Sequence, residues 1–369
     1  MIEALEVSLG ERSYPIYIGS GLLLRSELFV ERMRGRDVLV VTDETVAPLY
    51  LARLRDSLSD FHVAELILPA GEGSKTLATA TRVIDALVAH RCQRDATIVA
   101  LGGGVVGDIA GFAAACYQRG IAWLQVPTSL LAQVDSSVGG KTGVNHAAGK
   151  NLIGAFHQPV AVVADFDTLA TLEERELRAG LAEVVKYGVI SDADFFAWLE
   201  NHLTQLLSGE SQALMHAIRR SCEIKADIVG GDERERGRRA LLNFGHSFAH
   251  AIEKVAGYGN WRHGEAVSAG MCMAAELSRR MGLLDAAGGE RIAALLQAAG
   301  LPIAASGLDP AQLKAAMGLD KKQLGGRLRL VLIEALGAAR VTSDFPEPLL
   351  DEVLEDATAV RPGARSAGG

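Results

Sequence analysis

The chain has 369 residues, 49% of them apolar and 22% charged, and its 45 acidic against 37 basic side chains leave a net charge of −8. That composition excludes a disordered chain and argues against nucleic-acid or membrane-surface partners, while the length suggests two domains at roughly 150 residues each. Cys92, Cys116, Cys222 and Cys272 stand far apart with no C-x-x-C pair, so neither a disulfide framework nor a thiolate zinc site is expected, and the cytoplasm is the expected compartment.

The opening MIEALEVSLG lacks a basic region followed by an apolar run, and no signal peptide is expected. EALEVSLGERSYPIYIG reads as two alternating strands around Gly10-Glu11-Arg12, a hairpin at a sheet edge. VLVVT (38–42), AELILPA (64–70), ATIVALG (96–102), IAWLQVP (121–127) and AVVADF (161–166) predict strands, with helical spacing over 45–59 and 79–90. Continuous apolar strands alternating with helices imply a mainly parallel sheet covered on both faces. The apolar run at 109–117 is shorter than the roughly 18 residues a membrane span needs. Beyond about residue 170, segments 172–207, 211–229, 240–256, 264–281 and 288–299 have helical periodicity, and only 328–335 reads as a strand. The closing RPGARSAGG is expected to fray. The predicted architecture is an α/β domain over 1–170, a Rossmann-like variant, followed by a mostly α-helical domain over 171–369.

Glycine clusters between 102 and 154. Gly102, Gly104 and Gly107 satisfy G-x-G-x-x-G between a predicted strand and helix, where backbone N–H groups can face a pyrophosphate. The acid that an ordinary dinucleotide fingerprint places about 20 residues on is missing, so dinucleotide binding is expected in a non-standard arrangement. Asp108 reads as a helix N-terminal charge or as a cofactor contact. Glu72 and Lys75 lie in a glycine-broken turn after a strand, suited to binding or to a plain surface turn. The stretch 128–151 carries Asp135, Lys141, Asn145, His146, Lys150 and Asn151 among glycines and is expected to be a ligand loop for an anion. Further on, His246 and His250 are four apart on one helix face, with His263 starting the next helix and Glu183 and Lys186 in an earlier one. Two imidazoles and a carboxylate suit a catalytic zinc site. Spacing alone pairs His246 with His250. The basic run RERGRR (234–239) is expected to be largely solvated.

The motifs GEGSKT, GGGVVGDIAGF, QVPTSLLAQVDSSVGGKTGVN, GKNLIGAFHQP, AGLAEVVKYG, LLNFGHSFAHAIE, RHGEAV and LDKK together resemble the 3-dehydroquinate synthase family over nearly the whole chain. The resemblance implies an NAD-binding first domain and a helical second domain holding one divalent metal, zinc or cobalt, on Glu183, His246 and His263. It moves His250 from the metal to the substrate. The implied NAD contacts are Asp43, Glu72, Lys75, Gly103, Gly104, Asp108, Thr128, Ser129, Thr168, Thr171, Leu172 and Glu176; Ser129 stands where some members have Thr. The implied substrate and catalytic residues are Arg119, Asp135, Asn151, Lys186, Lys225, Arg239, Asn243, His250 and Lys321 of the DKK run, with Lys141 and Lys150 counted on both sides. Arg239 is the candidate for a contribution across a homodimer.

The implied substrate is 3-deoxy-arabino-heptulosonate 7-phosphate. The implied reaction runs through transient oxidation by NAD with the metal as Lewis acid, β-elimination of phosphate, re-reduction, ring opening and an aldol closure to 3-dehydroquinate. Another sugar phosphate cyclase and a metal-dependent alcohol or glycerol dehydrogenase remain the rival enzymes, and a nucleotide-binding regulator the non-enzymatic rival.

Overall fold

The computed structural model describes residues 2–235, 237–257, 259–323 and 327–360, without side chains across 319–323. The chain forms two compact units, one of 1–177 with 209–234 and one of 178–208 with 235–369.

The first unit is built on a seven-stranded sheet. Its strands are β1 (Ile2–Val7), β2 (Tyr14–Gly19), β3 (Asp37–Asp43), β4 (His62–Leu68), β5 (Thr97–Gly102), β6 (Ala122–Pro127) and, beyond a separate hairpin, β9 (Ala161–Asp165). The spatial order is β1-β2-β9-β6-β5-β3-β4. β1 and β2 pair antiparallel around the Gly10–Arg12 turn, and every other ladder is parallel. β3, β5 and β9 are apolar runs because both sides of each are covered. Leu39, Val41, Ile98 and Ala100 point into one core, and Val38, Val40, Val99 and Leu101 into the other, as the two-residue period of a strand requires. The helices α1 (Glu27–Val30), α2 (Ala52–Ser57), α3 (Leu77–Ala89) and α4 (Gly104–Cys116) complete the layers. Thr76 caps α3 by accepting from Thr79 N. α4 lies close to β6 because a Cβ on Gly111 would sit 2.7 Å from the Trp123 ring.

The stretch 128–151 differs from the loop expected of it. It contains a π-helical turn (Ala132–Ser136) and then β7 (Lys141–His146), which pairs antiparallel with β8 (Gly149–Phe156) in a separate hairpin. The pairing was hidden by Gly143 and Gly154, which face each other across the ladder. A Cβ on Gly143 would press on the Ile153 carbonyl at 2.7 Å, so the strands meet through bare backbone.

The remaining helices are α5 (Glu174–Ser191), α6 (Ala193–Leu207), α7 (Ser211–Gly231), α8 (His246–Ala256), α9 (His263–Arg280), α10 (Ala286–Ala298), α11 (Pro310–Gln323) and α12 (Glu347–Thr358). The helical span 172–207 breaks where the Asp192 side chain accepts from Phe195 N and caps α6. The span 240–256 begins as a 3-10 turn (Arg238–Asn243), and α8 starts only after Gly245, at φ +77. The strand near 328–335 is β10 (Leu330–Ala335), and it pairs with β11 (Ala338–Thr342), which sequence periodicity missed. The sequence division at 170 treats each domain as one contiguous piece, whereas α7 packs on β1 and β2 within the first unit. Among the described residues no helix is long and apolar enough to cross a membrane. The expected fraying of 361–369 lies outside the described residues.

Candidate active site

In the first unit the parallel strands deliver the expected cofactor residues at their carboxyl ends. β3 lies between β4 and β5, so successive strands run outward from β3 in opposite directions. The crevice outside such a switch point is where open α/β sheets bind ligands. Asp43 ends β3, the Glu72–Ser74 turn and Lys75 follow β4, and Gly103 and Gly104 follow β5. Thr128 and Ser129 follow β6, and Thr168, Thr171 and Leu172 follow β9.

The glycines of the turn divide their work. Gly102 and Gly107 are packing positions, where a Cβ would lie 2.7 Å from Val106 and 2.9 Å from Gln125 Oε1. Gly103, by contrast, would meet only Ser129 Oγ at 3.5 Å, leaving its backbone approachable. Lys75, 6% exposed, pairs with Asp108. Burial nevertheless pushes the Asp108 carboxyl above its usual range, against the pull of Lys75. Several expected contacts are already engaged within the fold. Asp43 Oδ1 accepts from Thr45 N and Val46 N at 2.9 Å. Ser129 Oγ accepts from Ala132 N. Thr171 Oγ1 lies 2.5 Å from Tyr50 OH, and Thr168 Oγ1 donates to Asp165 O. Glu176 sits in the first turn of α5.

This unit also holds the expected substrate residues Arg119, Asp135, Lys141, Lys150, Asn151 and Lys225. It brings two of them together: Lys225 Nζ donates to Asp135 Oδ1 at 2.7 Å and to Asp135 O at 2.6 Å, with Lys225 only 6% exposed. Arg119 and Lys141 are exposed. Gln118 and Arg119 hold φ of +47 and +69, and Asn151 +55, left-handed backbone at two of the expected positions.

In the second unit, α5, α8 and α9 converge through small residues. A side chain on Gly264 would collide with the Ala179 carbonyl, and one on Gly270 with the Gly245 carbonyl. The first turn of α9 therefore lies against α5, and its middle lies against the start of α8. His263 precedes Gly264, Glu183 lies one turn beyond Ala179, and His246 follows Gly245. One ligand atom from each of Glu183, His246 and His263 lies within 4.8 Å of the others. His246 Nε2 is 3.5 Å and His263 Nε2 3.7 Å from Glu183 Oε1.

The chemistry of this set fits a divalent cation. Glu183 is fully buried and neither of its oxygens accepts a hydrogen bond; its close neighbours are the two imidazoles and the ion-paired Lys186 Nζ. Lys186 offsets the charge at Oε2, but Oε1 and the two imidazole Nε2 atoms face one another with no hydrogen bond between them, an arrangement that a shared metal ion would satisfy. His246 Nδ1 lies 3.0 Å from the Phe244 carbonyl. A carbonyl only accepts, so the proton sits on Nδ1 and the Nε2 lone pair faces Glu183. Burial, then the charge of Lys186, hold the His246 pKa well below its usual value, which favours the ligating form.

His250 lies outside this set. Its ring centroid is 5.9 Å from that of His246 in an edge-on arrangement, so the pairing drawn from helical spacing is corrected: His263 from α9, not His250 one turn along α8, meets His246 and Glu183. Asn243 donates to Glu235 Oε1 at 3.0 Å. Arg239 is 2% exposed, unlike Arg234 and Arg238 of the same basic run; Arg236 is outside the described residues, as is the Lys321 side chain. Glu253 was missed by sequence reasoning: it lies 3.4 Å from His263 Nδ1, and its position seven residues after His246 puts it on the same side of α8.

Two family models match the chain, 3-dehydroquinate synthase N-terminal over residues 65–179 and 3-dehydroquinate synthase C-terminal over 180–323. A 3-dehydroquinate synthase of Nitrosococcus oceani is 58% identical over 96% of this chain and 99% of its own. Among solved structures, 2-epi-5-epi-valiolone synthase of Streptomyces hygroscopicus with NAD+ and Zn2+ bound is 30% identical, with a TM-score of 0.87 over 95% of this chain and 98% of that one. A 2-deoxy-scyllo-inosose synthase complexed with carbaglucose-6-phosphate, NAD+ and Co2+ is 27% identical, with a TM-score of 0.87 over 96% of this chain and 100% of that one.

Proposed function

The chain belongs to the 3-dehydroquinate synthase family and functions as such an enzyme, and we propose how its residues divide the work. The substrate is 3-deoxy-arabino-heptulosonate 7-phosphate, and the reaction is a carbon–oxygen lyase step that expels phosphate and closes a carbocycle. When bound, NAD supplies a reversible hydride acceptor, and a divalent metal, zinc or cobalt, supplies a Lewis acid for alcohol oxygens.

The domain of the first unit holds the dinucleotide. The amides after Gly103 meet the pyrophosphate at the start of α4, while Asp43, Glu72, Lys75, Asp108 and the hydroxyls of Thr128 and Ser129 surround it. Asp108, held near Lys75, presents an acceptor for a ribose hydroxyl. Lys141, Lys150, Asn151, Arg119 and Lys225 bind the anionic ends of the substrate, and the Asp135 carboxylate fixes the ammonium of Lys225.

The helical domain holds the cation on Glu183, His246 and His263. Lys186 and His250 hold hydrogen-bonding partners for oxygens that gain charge, and the buried guanidinium of Arg239 offers a bidentate site for a carboxylate. The observation that carries the reading is the buried Glu183 carboxylate faced by two imidazoles from separate helices. The assembly we infer is a homodimer, and the compartment the cytoplasm, where the four free cysteines would stay reduced.

The test is the protein loaded with NAD and zinc and given the heptulosonate phosphate. Inorganic phosphate is released and no NADH accumulates. NADH accumulating in step with substrate would instead mark a dehydrogenase.

A further inference from the structure

We infer that Asn145 is a positioning residue whose side-chain amide ties the Glu72 carboxylate to the bulge that carries Lys150 and Asn151. The inference rests on the reading above, in which Glu72 contacts NAD and Lys150 and Asn151 contact the anionic ligands.

The hairpin register carries the argument. Val144 pairs with Ile153 and His146 with Gly149, so Asn145 alone faces Lys150, Asn151 and Leu152. The extra residues of β8 are forced out of the ladder there, and Asn151 takes a left-handed φ of +55. Bulges of this kind re-aim side chains. Asn145 leaves the ladder as well and forms a bridge to Thr76, its N–H donating to Lys75 O at 2.8 Å.

Both ends of its amide are then used. Nδ2 donates to Glu72 Oε1 at 2.7 Å, and Oδ1 accepts from Asn151 N at 2.9 Å. One side chain thus fixes the direction of a carboxylate in the turn after β4 and the backbone of the bulge. Asn suits the position because it donates at one end and accepts at the other. Alanine would do neither, and aspartate would accept from Asn151 N but could not donate to Glu72.

The test uses the metal-loaded full chain, with NAD affinity measured by titration and KM and kcat measured for the heptulosonate phosphate. Asn145→Ala and Asn145→Asp both weaken NAD binding roughly tenfold, the usual effect of losing a hydrogen bond to a charged group. Added to Glu72→Ala, Asn145→Ala costs little more, because both changes remove the same link. KM rises in Asn145→Ala and much less in Asn145→Asp, which retains the acceptor for Asn151; if the alanine variant does not fold, the aspartate variant still gives the NAD comparison. Unchanged NAD affinity in the Asn145 variants, with Glu72→Ala weakened, overturns the role of Asn145, as do strictly additive losses. NAD affinity unchanged in Glu72→Ala itself overturns the cofactor reading of Glu72, and the proposal with it.

Discussion

Glu253 Oε1 stands 3.4 Å from Nδ1 of His263, on the side of the ring away from the nitrogen that faces Glu183. Glu253 is 4% exposed, so its orientation is held by packing in α8. A carboxylate in this place fixes the tautomer of a ligating histidine and raises its basicity.

Glu253→Ala is therefore expected to lower zinc affinity by about 10- to 100-fold, the usual range for such partners. Competition with a chromogenic chelator measures it. Glu253→Gln, which keeps a polar partner, should fall between the two. Unaltered affinity in both variants would remove Glu253 from the metal's surroundings.

His263→Ala is expected to abolish metal retention, whereas His250→Ala should retain one metal per chain and lose turnover. Metal analysis after gel filtration separates the two. Equal loss of metal in both variants would return His250 to the ligand set.

Lys225 and Asp135 form a largely buried pair with two contacts to one ammonium. Removing one partner of such a pair leaves the other poorly compensated, and Asp135→Ala should destabilise the protein by about 3 kcal/mol. Chemical denaturation reads this loss. Lys225→Met removes the charge and keeps the stem, so it should cost less stability while still depressing kcat/KM. A smaller loss in the aspartate variant than in the methionine variant would contradict the arrangement.

The His246 pKa lies well below its usual 6.5 in the folded protein. A depressed pKa contributes stability that is present above the unfolded value and is lost as pH falls through it toward the folded value. The metal-free protein should thus lose stability below pH 6.5, and His246→Gln should flatten that part of the profile. Thermal unfolding across the range checks the sign. Stability rising on acidification, and lost through the same substitution, would reverse it.

Burial pushes the Cys222 thiol up to about 12, while Cys116 is exposed. A thiol-specific chromogenic disulfide at pH 8 should label Cys116 in the native protein and reach Cys222 only on unfolding. Mass mapping of the labelled peptides identifies the sites.

Much of the first unit was legible from local pattern. Unbroken apolar runs such as Val38–Val41 and Ile98–Leu101 occur where both faces of a strand are covered, and the glycines after β5 mark a strand turning into a helix. The hairpin 141–156 was not legible, because Gly143 and Gly154 break the alternation and pair through backbone that leaves no side-chain signature.

Residue types alone marked the candidate site: imidazoles, a glutamate and lysines placed among glycines. Spacing along one helix satisfied His246 with His250 and with Glu253 equally well, since all three lie near the same side of α8. What brought His263 and Glu183 to His246 was the close passage of α9 over Ala179 and Gly245, allowed by Gly264 and Gly270. Periodicity records which face of a helix is buried. It carries no record of the partner, so α7 could be read as a helix but its packing on β1 and β2 could not. Local propensity wrote the elements into the sequence, and steric contact between distant segments chose which of their side chains meet.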